Sequence, residues 1–171
     1  MDPSAQLFLD YSVRKLRQLA ARIEDCLGRL TEEQVWARGA ESENAVGNLV
    51  LHLGGNLRQW IVSAVGRLPD TRRRDEEFAV RHGPAATALV AHLRGTVDQA
   101  AAVLEALPPE RLTGHIKVQN YDLTVLEAVY HAVEHFSGHT GQIIYATKLL
   151  TGKDLGYYRH LNTAAHSEQT P

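Results

Sequence analysis

Residues 124–150 read TVLEAVYHAVEHFSGHTGQIIYATKLL, and the spacing of apolar residues in this stretch decides the fold. At about 100° per residue from Leu126, the side chains of Val129, Val133, Phe136, Thr140, Ile143, Ile144 and Thr147 fall within roughly 260–360°. The small residues Ala128, Ala132 and Ala146 widen that arc to about 200°. One long amphipathic helix is predicted, stopping near Gly152. His131, His135 and His139 recur every fourth residue, so they share a face at about 6 Å of rise per step, close enough for two imidazoles to meet one metal. On the same projection His139 (about 220°) and His135 (about 180°) border the buried arc, whereas His131 (about 140°) lies toward Glu127, Glu134 and Tyr145.

Three more segments of the same kind precede it. Leu9, Val13, Leu16, Leu19, Ile23 and Leu27 recur at spacings of three and four, predicting a helix over about Gln6 to Leu30. Thr31 and Gln34 then match a capping box, which predicts a short helical restart. Val46, Leu49, Val50, Leu53, Leu57, Trp60, Ile61 and Ala64 form one face of a helix over about Asn44 to Gly66. Leu89, Leu93, Val97, Ala100, Val103, Leu104 and Leu107 do the same over about Ala85 to Leu107, where Pro108 and Pro109 end it.

Between the second and third of these helices, RLPDTRRRDEEFAVRHGP (residues 67–84) holds two prolines and dense mixed charge. It reads as a long loop with one helical turn near Glu76 to Val80. His115 to Val118 and Tyr121 to Val125 flank Asn120, as a small hairpin or an extended crossing. Four long amphipathic helices and no strong strand pattern predict an all-α protein, an antiparallel four-helix bundle with short extra elements. Residues 1–171 are expected to form one domain, with a disordered tail from about 165.

Composition narrows the function. With 18 Lys and Arg against 20 Asp and Glu the formal charge is −2, which gives no electrostatic reason to expect nucleic-acid binding. Every apolar run is interrupted well short of the roughly 18 residues a membrane span needs. The opening MDPSAQLFLD is acidic, unlike a secretory signal, and a cytoplasmic protein is expected. The single cysteine, Cys26, excludes intramolecular disulfides and Cys-rich zinc sites. It sits on the buried stripe of the first helix and reads as a small core residue. The nine histidines stand out, and any metal chemistry falls to imidazole and carboxylate.

The second long helix supplies a partner for the last one. His52, Asn56, Gln59 and Ser63 form a polar stripe at about 220–280° from Val46, beside the apolar face. His52 with His135 and His139 would make a three-imidazole site that leaves coordination positions open, as catalytic metal sites do. The plainer alternative is a set of hydrogen-bonded core histidines. A further one is His131-Ala-Val-Glu134-His135, literally H-x-x-E-H, the zinc-peptidase pattern, although His131 and Glu134 project toward the polar side.

Among the weaker candidates, Asn56, Gln59 and Gln142 would orient imidazoles or bind substrate. Arg72, Arg73 and Arg74 would grip a carboxylate, but Asp75, Glu76 and Glu77 follow directly, so a self-paired solvated loop is expected. Tyr157, Tyr158 and His160 are placed to cover a pocket only by their position in the tail. Leu51, Gly55 and Val62 lie together on the back of the second long helix, an apolar stripe that suggests a homodimer.

Taken together, NLVLHLGGNLRQW (48–60), RRRDEEF (72–78) and HFSGHTGQI (135–143) resemble the DinB/YfiT-like superfamily of bacterial metal-binding four-helix proteins, over roughly Leu9 to Leu150. The most specific piece is His-x-x-x-His-x-Gly-Gln, here His135, His139, Gly141 and Gln142; Thr140 stands where that superfamily often has Arg. The resemblance implies that His52, His135 and His139 are the metal triad, holding zinc or nickel, on an up-down-down-up bundle that is often dimeric. It implies a thiol S-transferase using bacillithiol, mycothiol or glutathione on a small-molecule substrate. The alternatives are a metal-dependent hydrolase and a non-catalytic stress-related binding or dimerisation module.

Overall fold

The computed structural model describes residues 3–162. Four long helices surround one apolar interior: α1 (Pro3–Arg29), α3 (Val46–Leu57, continuing as a π-helical stretch Arg58–Val65), α5 (Ala86–Glu105) and α6 (Val125–Thr151). Two short helices, α2 (Glu32–Val35) and α4 (Arg74–Ala79), lie in the connections, and an antiparallel pair, β1 (His115–Val118) and β2 (Tyr121–Thr124), precedes α6. The protein is mostly helical with a small two-stranded sheet, and α1 and α3 each contact both α5 and α6.

The predicted faces are the buried ones. Leu9, Val13, Leu16, Leu19, Ile23 and Leu27 of α1 are all inside, as are Val129, Phe136, Thr140, Ile143 and Thr147 of α6. The Thr31 capping box is formed: Gln34 donates its backbone N–H to Thr31 Oγ1 and accepts the Thr31 N–H on Oε1. A second box, Thr124 with Glu127, starts α6. Gly152 ends α6 at φ 67°, a conformation that costs glycine least. Gln119 (φ 49°) and Asn120 (φ 66°) close β1 to β2 as a two-residue turn with both central φ positive, so the connection is a hairpin and not an extended crossing.

Cross-contacts give the relative directions of the helices. Arg17 pairs with Glu105 and Glu24 with Arg94, so α1 and α5 run antiparallel. Ser4 and Phe8 share a groove with Leu126, while Gln34, just past α1, donates to the Leu150 carbonyl, so α1 and α6 run the same way. Gly54 faces His92 and Thr96, and Gly66 faces Val103, which makes α3 parallel to α5. After α6, Leu155 is buried and Tyr157 donates its OH toward the α1 residues Asp25 (2.7 Å) and Arg22 (3.1 Å). Cys26 is fully buried in the core, and the expected tail from about 165 lies outside the described residues. No helix among them is long and apolar enough to cross a membrane.

One expectation of packing is corrected. Leu51, Gly55 and Val62 do not share one outward stripe. Beyond Arg58 the backbone bonds run to the fifth residue back, as in Gly66 N–H to Ile61 O at 2.8 Å, and this wider turn rotates later positions relative to a 3.6-residue projection. Val62 is thereby carried into the core at 1% exposure. Gly55 is covered by the chain itself, since a Cβ there would overlap the Glu77 carboxylate.

Candidate metal centre

His52 sits between Leu49 and Leu53 on the part of α3 that faces α6, with 6% of its surface exposed. One helical turn separates His135 from His139 on α6, and both are half-buried. The three imidazoles converge. Ring centroids lie 5.0 Å apart for His52 and His135, 5.0 Å for His52 and His139, and 4.5 Å for His135 and His139. Each offers one nitrogen within 4.8 Å of the others, a grouping able to hold a metal ion.

Hydrogen bonding decides which nitrogen each ring presents. His52 Nδ1 lies 3.0 Å from Glu77 Oε2, and an ionised carboxylate only accepts, so the proton is on Nδ1 and Nε2 carries a free lone pair. His139 Nδ1 likewise donates to Gln142 Oε1 at 2.7 Å, leaving its Nε2 free. His52 Nε2 and His135 Nε2 face each other at 3.1 Å. That is near the roughly 3.3 Å edge of a tetrahedron with metal–nitrogen bonds of about 2.0–2.1 Å. His135 Nδ1 is buried with no hydrogen-bond partner among the described residues.

Burial favours the neutral form of His135 and His139, the form that ligates. Burial pushes His135 down to about 3, assisted by repulsion from His139, His52, His131 and Arg72. Burial also lowers His139, against the opposing bond to Gln142. Glu77 is raised by burial but held below the usual carboxylate range overall by Arg72 and His52. The donor set fits a divalent cation: three converging imidazole nitrogens, two of them on rings whose other nitrogen is fixed by an oxygen acceptor.

Behind His52 lies a polar cluster. Arg72 grips Glu77 with two bonds, Nε to Oε1 at 2.7 Å and Nη2 to Oε2 at 2.8 Å, and its Nη1 donates to Gln59 Oε1 at 2.9 Å. Arg72 Nη2 is also 3.1 Å from His52 Nδ1, but with both groups carrying hydrogens this is proximity and not a hydrogen bond. The expectation of a solvated, self-paired loop is half corrected. Arg73 and Glu76 are paired on the surface at 78% and 68% exposure, whereas Arg72 and Glu77 are paired inside at 3% and 11%.

The other named residues separate clearly. Gln142 touches His139, but Gln59 contacts Asp70, Arg72 and Gln119, reaching His52 only through Arg72 and Glu77. Asn56 is buried and makes no side-chain hydrogen bond to the three imidazoles. His131 stacks on Trp60 at 4.1 Å between centroids and lies outside the three-imidazole group, and Glu134 is exposed, so the H-x-x-E-H pattern does not assemble. Tyr157 and Tyr158 line a shallow groove with Lys148 and Asp154, away from the imidazoles. Burial raises the Cys26 thiol, which suits the core role expected of it.

Glu77, Asn48 and Arg38 were not foreseen. Asn48 accepts from the Ala45 N–H and donates to the Glu77 and Val80 carbonyls, while Arg38 donates to Asn48 and Val80, so together they dock α4 onto α3. The sequence signal for this docking is Gly55, a glycine inside a helix with a neighbour too close for a side chain.

No curated protein matches the chain. The fold is shared with the crystal structure of a conserved protein from Enterococcus faecalis, with a TM-score of 0.72 and 21% identity, covering 84% of this chain and 97% of that one. A family model matches residues 3–162, all of the described chain, and by it the protein belongs to the family described as "Protein of unknown function (DUF1572)".

Proposed function

We propose that this chain is a divalent-cation-dependent enzyme of DinB/YfiT type, a thiol S-transferase holding zinc or nickel on His52, His135 and His139. The observation that carries the proposal is the convergence of three imidazole nitrogens from two helices within 4.8 Å. The cosubstrate is a low-molecular-weight thiol such as bacillithiol, mycothiol or glutathione, and the second substrate a small electrophile. A cation on an open three-imidazole site lowers the pKa of a thiol or water, supplying thiolate or hydroxide near neutral pH. The chain's own groups prepare that site. Glu77 and Gln142 hold the Nδ1 protons of His52 and His139, so those protons do not compete for Nε2. Phe78, 4.7 Å from the His52 ring, shields it from water on that side. Ala128 and Ala132 put little bulk beside the imidazoles of α6. The cross-contacts of the four helices support an up-down-down-up bundle, while the homodimer now rests on the resemblance and the cytoplasmic setting on the sequence.

The test is thiol consumption by metal-loaded protein with a panel of electrophiles, beside His139→Ala. Thiol-dependent turnover lost in the variant is the expected result. Turnover that persists without thiol would instead indicate a hydrolase, and absence of turnover with an intact partner interaction a non-catalytic module.

A further inference from the structure

The Arg72–Glu77 pair does more than staple a loop. Both Glu77 oxygens are engaged, Oε1 by Arg72 Nε and Oε2 by Arg72 Nη2 and His52 Nδ1. The carboxylate is thus held behind His52, and the group of possible ligands among the described residues contains the three imidazoles without it. Had Glu77 been free to rotate, His52 would lose the acceptor that selects its tautomer. An imidazole protonated on Nε2 presents an N–H to the triad in place of a lone pair.

Arg72 is what keeps Glu77 there. Its side chain is 3% exposed, and the same residue is tied to Gln59, which in turn accepts from Gln119 at the hairpin turn. Residues 67–84, α3 and the hairpin therefore meet at one polar network that reaches the three imidazoles through His52.

We propose that Glu77, braced by Arg72, is the positioning residue of the metal centre: it holds His52 with Nε2 facing His135 and His139, so docking of residues 67–84 and cation occupancy stabilise each other. This rests on the three-imidazole reading of the site. The coupling is reciprocal: whatever affinity the docked segment adds for the cation, the cation returns as stabilisation of the docked segment.

The test uses metal-free full-length protein titrated with Co2+ alone, followed by its visible absorption, with amide exchange of residues 67–84 measured at zero and saturating Co2+. The variants are Glu77→Leu, which removes both acceptor oxygens, and Glu77→Gln, which keeps one. The expected result is an affinity about 10–100-fold weaker for Glu77→Leu, the usual size for loss of a group that orients a ligand, with Glu77→Gln in between. Saturating Co2+ should slow exchange of residues 67–84 in the wild type and leave them unchanged in Glu77→Leu. If Glu77→Leu does not fold, Glu77→Gln alone decides, by a measurable loss of affinity. Overturning results are a folded Glu77→Leu that binds Co2+ within about twofold of wild type, or a Glu77→Gln no better than Glu77→Leu. A wild type that takes up no Co2+ would remove the three-imidazole reading itself, and this inference with it.

Discussion

Replacing Arg72 by Met gives a stability change whose size follows from the geometry. The substitution keeps most of the side-chain bulk but deletes a buried cation, leaving Glu77 at 11% exposure with His52 as its remaining side-chain partner. Breaking a buried, bidentate pair from one side costs about 3–5 kcal/mol. Glu77 is close enough to the surface to turn outward, which favours the lower end, about 3 kcal/mol. A ceiling comes from the docking of residues 67–84. Beyond the ion pair, that docking includes bonds from Asn48 to the Glu77 and Val80 carbonyls, from Arg38 to the Val80 carbonyl, from Gln59 to Asp70, from Ser63 to the Pro69 carbonyl and from Trp36 to the Pro84 carbonyl, each about 1 kcal/mol. If the pair's loss exceeds that sum, the segment lifts off instead of the bundle unfolding. The two tryptophans separate these cases. Trp36 donates to the Pro84 carbonyl at the end of the segment, whereas Trp60 is in the core at 2% exposure. Urea unfolding of single-tryptophan versions should show the Trp36 signal shifting by about 3 kcal/mol and the Trp60 signal by no more than that. Replacing both partners, Arg72→Met with Glu77→Leu, should recover much of the loss, since apolar pairs of similar shape often substitute for buried ions at little cost. A loss below about 1 kcal/mol for Arg72→Met, with unchanged Trp36 behaviour, would refute the buried-pair reasoning.

Other outcomes follow from the same groups. In chelator, thermal stability should fall as the pH drops from 7 to 4. His135 is held down to about 3 in the fold, so below its ordinary value near 6.5 the unfolded chain takes up a proton that the folded one refuses. Glu77, depressed in the fold, adds a contribution that is present above its ordinary value and lost as the pH falls through the folded one. A melting temperature flat from pH 7 to 4 would contradict the His135 contribution; the Glu77 contribution shows below its ordinary value of 4.5. Gly55→Ala should destabilise despite the roughly 1 kcal/mol that alanine gains over glycine in a helix, because its Cβ displaces the Glu77 carboxylate. A more stable Gly55→Ala protein, measured by urea unfolding, would show that the segment does not press on α3 as described.

The long helices were legible because their burial is periodic. Every α1 position predicted from spacing is inside, and the α6 projection placed His135 and His139 beside the core and next to each other. His52 was legible for the same reason, as a polar residue beside an apolar face. Spacing could not show the π-helical stretch after Arg58, because a single shift in backbone bonding moves every later residue around the axis; Val62 was misplaced for that reason. Nor could it single out Arg72 and Glu77. In a run of three arginines followed by three acidic residues, composition predicts neutral surface pairs, and only the fold decides that one such pair turns inward onto His52. The partners of Gln59 were hidden for a related reason. It lies on the stripe of His52, but its partners come from residues 67–84 and the hairpin, both distant in sequence.

The most direct measurement for the central claim is metal per chain in protein made without a histidine tag, beside His52→Ala, His135→Ala and His139→Ala. About one zinc or nickel ion per chain, lost in each folded variant, is the predicted result. Metal retained in full by any one of the three variants, or a wild type that refuses both added zinc and added nickel, would contradict it.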